Sequence, residues 1–163
     1  MKEVSYSVVI RTLGNTGLKY KALLDSIAKQ TIHPEEIIVA IPEGYELDYS
    51  YGNEHIVRCK KGMTTQRAEG ILAAKSDYIL IVDDDVEFEA TMVEELYQYM
   101  LANNLNCCLP MEGGCVNKNI NTMDLRRPLS TRLRSGFTGQ MFTSRRKSKY
   151  LDVLTLAAGH KVY

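Results

Sequence analysis

Residues 77–89 read Asp-Tyr-Ile-Leu-Ile-Val-Asp-Asp-Asp-Val-Glu-Phe-Glu. Tyr78 to Val82 is an unbroken run of β-formers, the pattern of a strand buried on both faces of a parallel sheet. Three carboxylates follow at its C-terminal end, the edge where open α/β sheets bind ligands. Like charges packed together raise one another's pKa and destabilise a fold unless a cation or a set of donors sits among them. In an extended chain Asp83 and Asp85 point the same way and together offer hard oxygen ligands to a divalent ion, while Asp84 points elsewhere. The plainer alternative is a solvated acidic turn that ends the strand and leads through Glu87 and Glu89 into a helix N-terminus, where acidic residues are favoured.

Outward from this stretch, the chain alternates strands with amphipathic helices. Tyr6 to Ile10 predicts a first buried strand, and Arg11 to Gly17 the loop that leaves it. Leu18 to Gln30 predicts a helix burying Leu23, Leu24, Ile27 and Ala28. Glu36 to Ile41 gives a second strand closing a βαβ unit, with the turn Pro42-Glu43-Gly44 at its exit. Glu46 to Glu54 is tyrosine-rich and irregular. Ile56 to Cys59 is a short strand, and Met63 to Lys75 a helix packing through Ala68, Ile71, Leu72 and Lys75 with Arg67 in its first half. Ala90 to Asn103 predicts a third helix with Val93, Leu96, Tyr97 and Met100 inside, and Leu105 to Met111 a further strand. Residues 124–150 fit helix and loop equally, and 151–163 alternate enough for strands. The fold class is α/β: one domain with a mainly parallel central sheet flanked by helices.

The 163 residues, 45% hydrophobic and 25% charged, suit one globular domain. A formal net charge of zero does not point to nucleic acid. Its distribution is uneven: residues 1–117 carry 10 Lys and Arg against 18 Asp and Glu, whereas 118–150 carry 9 basic residues against Asp124 alone. Cys59, Cys107, Cys108 and Cys115 form no Cys-x-x-Cys pair and have no His at zinc spacing, so buried thiols are expected. No apolar run approaches the roughly 18 residues of a membrane span, and the expected location is cytoplasmic, with peripheral contact at the inner face of a membrane.

Taken together the segments resemble the family 2 glycosyltransferases, which have the GT-A fold. Ser7-Val8-Val9-Ile10-Arg11-Thr12 is similar to that family's first strand, Leu24 to Ile27 with Gln30-Thr31 to its helix and Gln-Thr ending, and Glu36 to Val39 to its second strand. Gly62-Met63-Thr64-Thr65-Gln66-Arg67-Ala68-Glu69-Gly70-Ile71, with Ala74 and Ile79 to Asp85, is similar to the run that ends in its Asp-x-Asp motif. The resemblance implies a nucleotide-diphosphate sugar as donor and Mn²⁺ or Mg²⁺ as cofactor. Asp85 would coordinate the metal on the diphosphate, Asp83 would reach that metal or the ribose, and Arg67 would lie beside the nucleotide and its phosphates. Arg11, Thr12, Glu43 and Asp84 complete the expected nucleotide-sugar-binding set. A divalent ion suits the chemistry, because it neutralises charge building on a departing diphosphate without proton transfer.

The chain departs from the family at four places. Arg11 stands where proline is usual, and Leu13 where an aromatic residue often follows the threonine. Ile41-Pro42 replaces a pair of aspartates, leaving Glu43 as the candidate substitute for contacting the base. An inverting transferase needs a carboxylate general base, which in this family lies beyond the glycine-containing segment matched by Ala157 to His160. The chain stops at Tyr163, so a shortened transferase domain is expected, and Glu112, Asp124 and Asp152 are the second-half carboxylates without a motif. The resemblance implies an acceptor hydroxyl on a glycan, lipid or protein that the sequence does not identify. The basic segment 118–150 is expected to be a loop that closes over the diphosphate or receives an anionic acceptor such as a phosphate-linked lipid. Two other readings compete: a non-catalytic nucleotide-sugar-binding module, and a phosphatase of the haloacid dehalogenase type, whose Asp-x-Asp normally sits on the first strand and is usually followed, two residues on, by Thr or Val where this chain has Glu87.

Overall fold

The computed structural model describes residues 4–111, 114–116 and 141–145. Its elements are β1 (Tyr6–Arg11), α1 (Leu18–Ala28), β2 (Glu36–Pro42), β3 (His55–Cys59), α2 (Met63–Ala73), β4 (Tyr78–Asp83), α3 (Met92–Ala102), β5 (Cys107–Met111), β6 (Gly114–Val116) and β7 (Met141–Ser144). They build one seven-stranded sheet in the order β3-β2-β1-β4-β7-β5-β6. The first four strands in that order are mutually parallel. β7 then runs antiparallel to both β4 and β5, and β6 antiparallel to β5. "Mainly parallel" thus describes the half of the sheet that carries the acidic turn, and the other half is antiparallel.

The apolar runs of β1 and β4 follow from this position. Val8, Ile10, Leu80 and Val82 face Leu23, Leu24 and Ile27 of α1 and Val93, Leu96 and Met100 of α3. Val9, Ile79 and Ile81 face the opposite way, against Ile71 and Ala74. Each of these side chains is 5% exposed or less, and full burial of one contributes about 1.5–3 kcal/mol before the entropy of ordering it. Gly70 lets α2 lie close on β1, since a Cβ there would stand 2.4 Å from Val9 Cγ1.

The Gln-Thr ending of the first helix also has a physical task. Gln30 Nε2 donates to Glu89 O at 2.8 Å, its Oε1 accepts from Val93 N at 3.1 Å, and Thr31 N donates to Ala90 O at 2.8 Å. The end of α1 therefore fixes the chain that leaves the acidic turn. The tyrosine-rich segment is tied as well: Tyr51 donates to Asp25 of α1, and Glu54 accepts from Ser50 Oγ, Tyr51 N and Gly52 N.

Several sequence expectations need correction. Leu72 is 46% exposed, because α2 turns Gln66, Arg67, Ala68, Gly70 and Ile71 inward instead. Ala28 is exposed at the last turn of α1. Lys75 lies beyond α2, which ends as Ala74 adopts an extended conformation. The basic segment is not one loop, for it contains β7. That strand's Phe142 is fully buried, stacks on Tyr78 at 5.5 Å and meets Tyr6 edge-on at 6.1 Å. The side chains of Cys59, Cys107 and Cys108 are buried, as expected. The readings of residues 117–140 and 146–163 lie outside the described residues.

At the N-terminal edge of the sheet, Glu36 is the cross-strand partner of Ser7. Its Oε1 accepts from Ser7 Oγ and from Lys75 N, each at 2.7 Å. Burial works to raise the Glu36 pKa, but these two donors, with the Lys75 and His55 charges, outweigh it and hold the group below its ordinary 4.5. A depressed carboxylate stabilises the fold fully above its unfolded value and loses that contribution as pH falls through the folded one. Glu36→Gln is therefore expected to be less stable than the parent at pH 7, with the difference narrowing as pH drops below 4.5. Urea unfolding at pH 7 and in the acid range measures this, and a gap that stays constant would contradict it.

Candidate functional site

The C-terminal ends of β1 and β4 are adjacent, and their register makes Arg11 and Asp83 cross-strand partners. Arg11 Nε donates to Asp83 Oδ1 at 2.8 Å. From α2, Arg67 Nη2 donates to Asp83 Oδ1 at 2.9 Å and to Oδ2 at 3.1 Å. Arg67 is buried, its side chain 5% exposed, whereas Arg11 and Asp83 keep 23% and 19%. One carboxylate thus holds two guanidiniums at the sheet edge. Charge-assisted bonds of this kind are short and strong, and removing one member of a buried set strands the others.

Asp84 turns to the other side. It is 8% exposed, and its Oδ2 accepts from Thr12 Oγ1 and, at 3.2 Å, from Thr16 Oγ1. Thr12 Oγ1 accepts in turn from Gly14 N at 2.8 Å. Nearby on α1, burial first, and then the Glu54 and Asp84 charges, push the Tyr20 hydroxyl pKa up and keep it protonated. The second aspartate therefore clamps the loop leaving β1 to the acidic turn. Asp85 is exposed, and no hydrogen bond or ion pair among the described residues engages it.

Gln66 is the residue that sequence reasoning missed. Buried in the first turn of α2, its Nε2 donates to Thr12 O at 2.8 Å and to Ala40 O at 2.9 Å, joining the ends of β1 and β2 beneath the site. It sits inside the 62–71 run, but nothing in its spacing marks it. Thr16 was missed in the same way. Of the expected residues, Arg11, Arg67 and Asp83 form one bonded set and Thr12 and Asp84 a second, the two joined by chain continuity at the ends of β1 and β4, with Asp85 next in the chain. Glu43 is exposed beyond β2, tied to β3 through its backbone N–H to Cys59 O at 3.0 Å, and its side chain bonds to none of them.

Residues 7–153 match the family described as "Glycosyl transferase family 2". The chain belongs to glycosyl transferase family 2. The fold of this family 2 member is also that of solved glycosyltransferases. Staphylococcus aureus TarS, residues 1–349, is 16% identical over 91% of this chain and 49% of its own, with a TM-score of 0.57. Glucosyl-3-phosphoglycerate synthase from Mycobacterium tuberculosis, in complex with Mn²⁺, UDP and glucosyl-3-phosphoglycerate, is 16% identical over 88% of this chain and 57% of its own, with a TM-score of 0.58. The same enzyme with Mn²⁺, UDP-glucose and phosphoglyceric acid gives 18% identity and a TM-score of 0.57. At these identities the likeness is one of fold, and this family 2 chain spans about half the length of those structures. No curated protein sequence matches it significantly.

Among the described residues of this family 2 domain, no three His, Cys, Asp or Glu side chains gather to hold a metal. Mn²⁺ and Mg²⁺ are commonly held by one or two carboxylates plus substrate phosphates rather than by an all-protein cage. The exposed Asp85 has the right hard oxygens, and Asp83 beside it is already shared between two arginines.

Proposed function

We propose that the chain transfers a sugar from a nucleotide-diphosphate donor to a hydroxyl on a glycan, lipid or protein, and that the donor binds at the ends of β1, β2 and β4. The observation carrying this reading is the cluster of Arg11, Arg67 and Asp83 beside the exposed Asp85, at the ligand-binding edge of a family 2 fold. Asp85 would hold Mn²⁺ or Mg²⁺, with Asp83 as the second expected ligand, and the ion would stabilise the departing diphosphate. Arg67 and Arg11 supply further positive charge there. Thr12 and Asp84 set the loop under the nucleotide, and Glu43, at the exit of β2, is the candidate for the base.

The phosphatase reading is not favoured. Its Asp-x-Asp belongs on the first strand, whereas here the acidic turn follows β4, and the family match argues for glycosyl transfer. The family match likewise weighs against a purely non-catalytic module. Glu112, Asp124 and Asp152, the carboxylates considered for the general base, lie outside the described residues. No helix among the described residues is long and apolar enough to cross a membrane.

Ligands that bind the native state raise its melting temperature. A panel of nucleotide sugars, each with and without Mn²⁺, is expected to contain at least one that stabilises the protein only when the metal is present. Stabilisation by none of them, or by all equally without metal, would sink the reading.

A further inference from the structure

Arg11 stands where the resemblance to family 2 leads one to expect proline. Proline in that place offers no charge. In this chain the arginine ends β1 as the cross-strand partner of Asp83, held by a single bond from Nε to Oδ1 at 2.8 Å. That oxygen is shared with Arg67, which also takes Oδ2. Because guanidinium is planar, fixing Nε and the stem fixes the plane of the two terminal nitrogens. Those nitrogens make no hydrogen bond among the described residues, and the side chain is 23% exposed at the edge where ligands bind.

The surrounding charge makes this arrangement informative. Asp83, Asp84 and Asp85 stand in a row, so an anionic ligand approaching them meets repulsion unless cations offset it. Arg67 lies deep, whereas Arg11 is the more exposed of the two cations. A fork of two N–H donors with a preset plane matches a carboxylate or phosphate, each of which presents two oxygens to it.

We propose that Arg11 binds an oxyanion of the ligand through Nη1 and Nη2, with Asp83 as the positioning residue that presents it. The oxyanion is a phosphate of the donor diphosphate or the carboxylate of an acidic sugar on that donor. This deepens the glycosyltransferase reading and rests on it for the ligand's identity, though not for its charge.

Calorimetry on the parent, Arg11→Met and Arg11→Lys, with and without Mn²⁺, tests it with six probes: uridine, UDP, UDP-glucose, UDP-glucuronate, inorganic pyrophosphate and free glucuronate. Arg11→Met keeps much of the stem and is expected to weaken UDP, both UDP-sugars and pyrophosphate about tenfold to a hundredfold, the scale of a lost charged hydrogen bond. Uridine should be unaffected, and Arg11→Lys should recover only part, because it restores charge but not the fork. A loss confined to UDP-glucuronate and free glucuronate assigns the oxyanion to the sugar. Equal weakening of uridine would show a merely structural role and overturn the proposal, as would unchanged binding of every probe. Arg11-dependent binding of pyrophosphate or glucuronate by a protein that binds no nucleotide would keep this proposal and remove the glycosyltransferase reading. Nucleotide binding indifferent to Arg11 would do the reverse, and a parent that binds none of the six would remove both.

Discussion

Asp85→Ala is expected to abolish the Mn²⁺-dependent part of nucleoside diphosphate binding, a loss of about a hundredfold or more, while the melting temperature stays level or rises slightly. The two effects have separate causes. Mn²⁺ and Mg²⁺ lean on few protein ligands and complete their shells with phosphate and water, so one carboxylate carries a large share of the protein's grip. The fold, by contrast, takes nothing visible from Asp85: it is exposed and bonded to no described residue, and it adds a third negative charge beside Asp83 and Asp84. Asp84 is the control, since its Oδ2 holds Thr12 and Thr16, and Asp84→Ala should lose stability along with binding. Calorimetric titration of UDP with and without Mn²⁺ decides the matter. Parent-like metal dependence in Asp85→Ala would reject the metal role.

Gly14→Ala is expected to be the most damaging small substitution in the loop after β1, costing about 3–4 kcal/mol. Gly14 has φ +80°, a region that side chains rarely adopt. A Cβ there would lie 1.9 Å from the Glu46 carbonyl oxygen. That obstacle is backbone, and it belongs to the segment whose Asp48 N–H donates to Gly14 O at 3.1 Å. Relief would require moving the loop after β2 or the loop after β1. The second carries Thr12 and Thr16 and, through them, Asp84, so nucleotide affinity should fall with stability. Denaturant midpoints compared with affinities check both. A variant within about 1 kcal/mol of the parent would mean that the two loops are not pressed together as described.

How much of this was legible beforehand depended on range. β1, β2, β4 and the three helices were visible because apolar runs and helical periodicity are local, and most of the faces they predict are buried here, with Ala28, Leu72 and Lys75 as exceptions. The acidic turn was legible for the same reason, as three charges in a row after a buried run. β7 was not. Met141 to Ser144 is four residues long among basic neighbours, too short for periodicity to register, and only pairing with β4 and β5 makes it a strand. Arg67 was placed at the site by the resemblance and not by its spacing, and the carboxylate that it meets there, Asp83, comes from a different element. Gln66 and Thr16 gave no local sign at all, since their partners are carbonyls and a carboxylate supplied by distant strands. Leu72 shows the opposite failure: periodicity placed it inside, but the stripe that meets the sheet includes Gln66 and Arg67, and Leu72 falls outside it.

The placement of β7 also bears on how the chain folds. β4 and β5 point the same way and are separated in the sheet by a strand that arrives well after both in the sequence. The β1–β2 and β2–β3 pairings are closed by short connections, whereas β4 reaches back 72 residues to pair with β1. Both neighbours of β4 are therefore non-local partners, the kind of contact that slows folding. Until Met141 to Ser144 dock, β4 presents an unpaired hydrophobic edge next to the acidic turn, open to strands of other chains. The site's Arg11–Asp83 and Thr12–Asp84 bonds span the same 72 residues and so depend on the β1–β4 pairing, while β7 shields the other edge of that strand from aggregation.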